Sequence, residues 1–480
     1  MKRTVLLLVS IASAVLIVAA AGLTTAPTAA QESPAKPNFI FILADDMRKD
    51  ELRYMPKTKA LLGEQGMRFP NAYVAYALCC PSRATIMRGQ YAHNHGVWSN
   101  KQTLGGGWKG YKQNGNEQDN VATRLHDAGY RTGYFGKYLN GYKDTTVIPE
   151  GWDDWFVPTG QEPGARHFYF NYDVNDNGVT RHFGSDPEDY STDVIKRQTR
   201  EFIGKSVAEG KPFFAYLSPN APHYPAIPAP RHEHAFDGEK APRLPSFNEK
   251  NVSDKPPLIR SFPLLGEQQI AKIDAFHERR AESLQSVDAL VEGLVEKLRS
   301  EGELSNTYIV FTSDNGWHHG EHRIPNEKNR PYEESIHVPL LIRGPDVQAG
   351  STTDKLTLNT DFFPTFTDLA GIPTPEYVDG RSLRPLLEGD ATKWRTAILF
   401  ESNAPEYPNQ SPFYGLVTSE QRKYVEYDRG FRELYDLRTG PYEGQNIYNK
   451  SAPPKGLATR LDQLKTWAGP TCRAAENGSQ

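Results

Sequence analysis

The chain opens its ordered pattern on Asn38-Phe39-Ile40-Phe41-Ile42-Leu43, an almost unbroken apolar run. Such a run fits a strand covered on both faces, because a half-exposed strand would alternate apolar and polar positions. Runs of the same kind follow at 132–135, 213–217, 308–312 and 338–342. Between them the period lengthens. Residues 121–128 predict a short helix, and Leu284, Val287, Val291, Leu294 and Leu298 share one face of a longer one. Residues 361–370 predict another helix, stopped by Gly371 and Pro373. Strands alternating with helices predict an α/β fold, a large and mostly parallel sheet sandwiched by helices.

Two stretches interrupt that rhythm. Residues 141–190 are rich in aromatics, glycine and aspartate, and 225–265 are proline-rich without periodicity. Loops of that length predict the rim of a binding site. Within the first, Asp173-Val174-Asn175-Asp176-Asn177-Gly178 begins like a calcium-binding loop. Its twelfth position is Gly184 rather than glutamate, so a β-hairpin between 168–172 and 179–183 is the reading adopted. After Pro373 the chain turns to short strands at 397–401, 423–427 and 433–437. This predicts a larger domain over 37–375 and a smaller α+β domain over 376–480.

Residues 1–30 carry Lys2 and Arg3, an apolar run from Val5 to Leu23, and Thr28-Ala29-Ala30. They read as a cleaved secretory signal, with an uncleaved anchor as the alternative, and place the protein outside the cytoplasm as secreted or periplasmic. Composition adds little: 24% charged, 38% hydrophobic and a net charge of −4 are ordinary for a globular enzyme and give no footprint for nucleic acid. The 39 glycines and 36 prolines fit long loops. Three cysteines are too few for a disulfide framework, and Cys472 either pairs with Cys80 or stays free.

The chemistry sits where the apolar runs end. Asp45-Asp46 follow the first run and Asp314-Asn315-Gly316 follow the fourth. Open α/β sheets bind ligands beyond the carboxyl ends of their strands, so these side chains are placed to converge. Three carboxylates and one amide oxygen suit a hard divalent cation, Ca²⁺ or Mg²⁺. Lys137, His223 and Lys328 each lie close to a predicted strand, and Arg83 lies in Cys79-Cys80-Pro81-Ser82-Arg83, with Arg88-Gly89 downstream. These positive or protonatable groups fit an anionic substrate.

That pentapeptide, with Leu78 before it, His93-Asn94-His95, Gly136-Lys137-Tyr138-Leu139-Asn140 and Ser313-Asp314-Asn315-Gly316-Trp317-His318, resembles the formylglycine-dependent sulfatases over nearly all of 37–450. The likeness is in particular to the N-acetylglucosamine-6-sulfatases and heparan endosulfatases. The resemblance implies an alkaline-phosphatase-like fold and oxidation of Cys79 to formylglycine by a formylglycine-generating enzyme. It implies a metal held by Asp45, Asp46, Asp314 and Asn315, with residue 79 completing the set. Arg83, Lys137, His223 and Lys328 would then bind sulfate and the bridging oxygen. A hydroxyl of the aldehyde hydrate would attack sulfur, His223 or Lys328 would protonate the leaving alkoxide, and loss of the other hydroxyl proton would expel sulfate.

Many sulfatases carry histidine where this chain has Leu139, so the base for sulfate release falls to His95 or Asn140 as candidates. Trp317 and His318, with Trp152, Trp155, Phe168 and Tyr169, suit a saccharide face. The substrate implied is a sulfated saccharide, 6-O-sulfated N-acetylglucosamine above all, or an aryl sulfate. The alternatives are a broad arylsulfatase, a phosphonate or phosphate ester hydrolase of the same fold, and a non-catalytic binder of sulfated glycans.

Overall fold

The computed structural model describes Met1 and residues 36–161, 168–390, 392–403 and 409–478. The signal-like segment 1–30 therefore lies, but for Met1, outside the described residues. Among those described, no helix is long and apolar enough to cross a membrane.

The apolar runs form the middle of a ten-stranded sheet. Thr307–Ser313, Asn38–Ala44, Phe213–Ser218, Arg131–Gly136 and Asp154–Gln161 lie side by side in that order, all parallel. Antiparallel Leu340–Arg343 flanks this block on one side, followed outward by Met67–Arg68 and Ser351–Thr352. The antiparallel hairpin Tyr172–Asp176 and Val179–Phe183 flanks it on the other. Parallel strands need crossovers, and the long helices Ser191–Ala208 and Glu267–Ser300 supply two of them.

Side chains alternate across the central strand. Phe39, Phe41 and Leu43 pack with Phe362, Phe363, Phe366, Val121 and Leu125. Ile40, Ile42 and Ala44 face the opposite layer, with Val194, Phe202, Leu284, Val287 and Val291. Both faces are thus covered, which is why the run reads as uninterrupted apolar sequence.

The hairpin departs from the sequence expectation in one strand. Its first strand is Tyr172–Asp176 rather than 168–172. Asn177 and Gly178 both take positive φ, 52° and 86°, so this two-residue turn forces the strand to run directly into it. Asn175 Oδ1 fastens the turn by accepting the Gly178 N–H at 2.7 Å.

Past residue 375 the chain builds a second, antiparallel sheet of Ala397–Ser402, Phe413–Thr418, Arg422–Tyr427 and Arg432–Asp436. It shares a core with the loop preceding the Cys79 helix: Tyr73, Val74 and Ala75 pack with Ile398, Phe400 and Leu416. The Glu401 N–H also donates to the Ala75 carbonyl at 2.8 Å. The change in composition marks a new sheet, and contacts join Lys36–Gln480 in one unit.

Candidate active site

Two adjacent parallel strands end side by side and deliver the acids. The Asp314 N–H donates to the Ala44 carbonyl at 3.1 Å, and the Asp46 N–H donates to Asp314 Oδ1 at 3.0 Å. Asp46 turns away from the strand direction with φ of +68°, a left-handed conformation that aspartate tolerates better than most residues. The helix Cys79–Arg88 points its first residue at the same place, and all ten of its residues are buried. Its position is fixed through Ser82, whose hydroxyl donates to the Asp314 carbonyl at 2.5 Å and accepts from Asn359 Nδ2 at 2.9 Å.

Arg83, the next residue, ties three strand ends together. Its Nε donates to Asp314 Oδ2 at 2.9 Å, and its Nη1 donates to the Lys137 carbonyl at 2.7 Å and to Ser218 Oγ at 2.6 Å. Only Nη2, 3.7 Å from Asp45 Oδ1, lacks a hydrogen bond. Two of the three guanidinium nitrogens are thus committed, one to the Asp314 carboxylate and one to the Lys137 carbonyl and the Ser218 hydroxyl.

Cys79 Sγ sits among charges of both signs. Lys328 Nζ is 2.7 Å away and Lys137 Nζ 3.5 Å, while Asp45 Oδ1 and Asp46 Oδ1 lie at 3.6 and 3.9 Å. Lys137 also pairs with Asp45, and Lys328 with Asp46. Burial pushes the Cys79 thiol up to about 12, and the two lysines only partly offset it. As an ordinary cysteine it would stay protonated and a poor nucleophile.

Burial also works to raise the acids, but Lys137, His223 and Arg83 hold Asp45 well below the usual carboxylate range. Asp314 goes the other way, pushed up to about 6 by burial and by the charge of Asp45. His223 approaches from the loop after Phe213–Ser218, with Nε2 3.7 Å from Asp46 Oδ2. Its Nδ1 donates to the Tyr224 carbonyl at 2.7 Å, so Nε2 is the nitrogen turned to the site.

The donor set fits a cation. Asp45, Asp46 and Asp314 each offer a carboxylate oxygen within 4.8 Å of the others. Asp46 Oδ2 and Asn315 Oδ1 are buried and have no hydrogen-bond partner. Asn315 spends its Nδ2 on Asp46 Oδ1 at 2.7 Å and on the Gly316 carbonyl at 2.9 Å, which leaves its oxygen free to act as a ligand. Orphaned acceptors among carboxylates are what a divalent ion satisfies.

The other expected residues divide. Asn140 lines an open cleft beside Lys137, together with Tyr142, Lys143, Thr159 and Phe168. Trp317 is half-buried, with Lys328 Nζ 5.8 Å from its ring centre. His95 is placed away from the sulfur. It is buried, its Nδ1 accepts the Val97 N–H at 3.1 Å, and its Nε2 meets Thr85 Oγ1 at 3.0 Å. Burial pushes it down to about 3, so it packs as a neutral residue bracing the helix. His318 is sealed inside rather than turned to a saccharide, its Nδ1 donating to the Glu327 carbonyl at 3.2 Å. Trp152, Trp155 and Tyr169 are core and not rim, each buried in the layers that cover the sheet; Phe168 alone of that group borders the cleft. Cys80 and Cys472 are both free and buried.

A residue not anticipated lies behind the site. Arg280 donates to Glu51 through Nε and Nη2, each at 2.6 Å, and Nη2 also donates to the Asp46 carbonyl at 2.7 Å. Its Nη1 reaches the Pro222 carbonyl at 3.2 Å, next to His223. Arg280 falls on the same helical stripe as Leu284, Val287 and Val291, and a charge on an otherwise apolar stripe is the sequence signal that marks it.

Comparison with known proteins agrees with this geometry. The sulfatase family model matches residues 37–372, and the model of the N-sulphoglucosamine sulphohydrolase C-terminal region matches 320–466. The goat N-acetylglucosamine-6-sulfatase is 36% identical over 492 residues, covering 92% of this chain and 86% of that protein. The fruit-fly extracellular sulfatase SULF-1 homolog is 37% identical over 378 residues, and the match covers 77% of this chain but only 33% of that protein. A solved structure in complex with its substrate D-glucosamine-2-N,6-O-disulfate is 27% identical with a TM-score of 0.74, covering 90% of this chain and 97% of the other. With the fold, the strand-end acids and the Cys79 helix in place, the chain belongs to the sulfatase family, the enzymes that hydrolyse sulfate esters.

Proposed function

We propose that this protein is an exported, calcium-dependent sulfatase that removes the 6-O-sulfate of N-acetylglucosamine units, using a formylglycine made from Cys79 by a formylglycine-generating enzyme. One observation carries the reading: Cys79 Sγ lies within 4 Å of two lysine ammoniums and two carboxylates, at the N-terminus of a buried helix. Support for the sugar comes from the names of the relatives, from the disulfated glucosamine held by the solved neighbour, and from the cleft beside Lys137. Support for export comes from residues 1–30 and from the relatives named extracellular.

Asp45, Asp46, Asp314 and Asn315 would hold Ca²⁺, which when bound neutralises the carboxylates and draws negative charge from a sulfate oxygen. Four protein oxygens suit calcium, since magnesium keeps more of its water. Formylglycine supplies, as its hydrate, one hydroxyl to take up the sulfuryl group and a second whose deprotonation lets it go.

The rest falls to the chain's own side chains. Lys137 and Lys328 flank residue 79 and set two positive charges where the sulfate oxygens would lie. His223 keeps Nε2 toward the site through its Nδ1 bond to Tyr224. From there it can carry a proton to the departing sugar oxygen, with Lys328 as the other donor within reach of residue 79. Arg83 holds Asp314 and Arg280 holds the Asp46 backbone from behind, which limits how far these acids must move as charge develops. Asn140 and Trp317 are placed to meet the sugar.

The test is turnover on defined substrates. N-acetylglucosamine 6-sulfate should release sulfate faster than its 3-sulfate isomer, and an aryl sulfate faster than the matching aryl phosphate. Faster phosphate release would overturn the sulfatase assignment, and equal rates on the two sugar isomers would overturn the 6-O preference. Mass spectrometry of the active-site peptide should find Cys79 as formylglycine, and a fully active preparation with an intact thiol would reject that part.

A further inference from the structure

A second cluster of metal-ligating groups lies outside the catalytic acids. His322, Glu334 and Glu443 each offer one ligand atom, all within 4.8 Å of one another. His318 Nε2 lies 3.9 Å from Glu334 Oε2. His322 Nε2, His318 Nε2 and Glu334 Oε2 are buried atoms without a hydrogen-bond partner. Both histidines are fully buried. Glu443 is held from behind, with its Oε1 2.7 Å from Lys423 Nζ and its Oε2 accepting the Glu333 N–H at 2.8 Å.

The orientation of the two imidazoles points to a ligand. His322 donates through Nδ1 to Glu249 Oε2 at 2.7 Å, and His318 through Nδ1 to the Glu327 carbonyl at 3.2 Å. Acceptors of this kind fix the proton on Nδ1 and leave the Nε2 lone pair facing the cluster. A histidine whose second nitrogen is bound to a carboxylate or carbonyl is the usual arrangement around a protein-bound transition metal. The Tyr332 ring packs on His322 with centres 4.3 Å apart and holds it in place.

Charge favours a cation as well. Glu334 and Glu443 bring two carboxylates together, and they need positive charge to balance them. Lys423 and Arg48 supply some, yet both are engaged elsewhere, Lys423 also with Glu333 and Arg48 with Asp50 and Glu321.

We propose that His322, Glu334 and Glu443, with His318 beside them, form a structural site for a divalent metal of zinc type, distinct from the catalytic cation site. Two imidazoles with carboxylates suit zinc, whereas the all-oxygen catalytic set suits calcium. The site joins the segment after the second sheet, through Glu443, to the loop 314–339 that carries Lys328. Its effect would be to hold that loop, and so Lys328, against residue 79.

The experiment uses the full-length enzyme loaded with calcium, then incubated with zinc and dialysed. Elemental analysis should give one zinc per chain in addition to calcium, and anomalous diffraction at the zinc edge should place a peak between His322 Nε2, Glu334 and Glu443. His322→Ala and the milder Glu443→Gln should each lose that zinc while keeping calcium. Their thermal midpoints should fall below that of the zinc-loaded parent and stop responding to added zinc. Absence of a zinc peak at the cluster in the unmutated enzyme overturns the proposal and leaves a hydrogen-bonded histidine–carboxylate network. Unchanged zinc content in both variants does the same.

Discussion

Lys328 Nζ rests 2.7 Å from Cys79 Sγ across a sequence separation of 249 residues, and the same ammonium pairs with Asp46. One buried cation therefore faces both the residue proposed as the nucleophile and a carboxylate of the candidate cation site. That double contact makes Lys328→Met informative. It should lower kcat by about 100-fold or more, the range lost with a positioned acid or charge. It should also destabilise the metal-depleted protein more than the calcium-loaded one, since calcium replaces the missing counter-charge on Asp46. Thermal melts with and without calcium check this, and equal losses in both states would contradict it.

Cys79→Ala should abolish turnover, by more than about 10⁴-fold, as for loss of a covalent nucleophile. The helix that begins there is anchored by Ser82 and Arg83, so the fold should persist. Circular dichroism and the melting midpoint should stay near those of the parent, while sulfate release from any substrate disappears.

Calcium removal should cost both activity and stability. A ligand that binds only the folded state adds about 2.7 kcal/mol at one hundred times its Kd, and the orphaned oxygens of Asp46 and Asn315 are where that gain would arise. Chelation should lower the melting midpoint and stop turnover, with both restored by calcium. Asp314→Asn should weaken calcium binding measured by calorimetry, and unaltered affinity would remove Asp314 from the ligand set.

A pH effect is expected away from the site. His93 donates through Nδ1 to Glu401 at 3.0 Å, and its Nε2 faces the Trp467 carbonyl at 3.1 Å. Burial alone would lower it, but Glu401 raises it to about 9. A group raised on folding stabilises fully below its unfolded value near 6.5 and loses that contribution as pH rises toward 9. Stability should therefore decline across pH 6.5–9, by at most about 1.4 kcal/mol per unit from this group. His93→Gln should flatten that slope in denaturant melts, and an unchanged slope would show that another group titrates.

The sequence alone determined much of this protein, because some of its signals are local. A doubly buried strand must be apolar throughout, so 38–43 declared the centre of the sheet, and Asp45-Asp46 and Asp314-Asn315 followed at the strand ends where ligands bind. The Cys-x-Pro-Ser-Arg pattern is likewise contiguous and needed no coordinates.

Tertiary structure decided what depends on where a side chain turns. His95 and His318 looked like site residues in sequence, yet both are buried and bonded elsewhere, and Trp152 and Trp155 pack inward where a rim had been expected. Arg280 and Ser82 showed the reverse, reaching Asp46 and Asp314 across more than 200 residues. Chain order fixes which residues are available, but side-chain contact is set by the packing of helices on the sheet, and burial then decides which charges are paired.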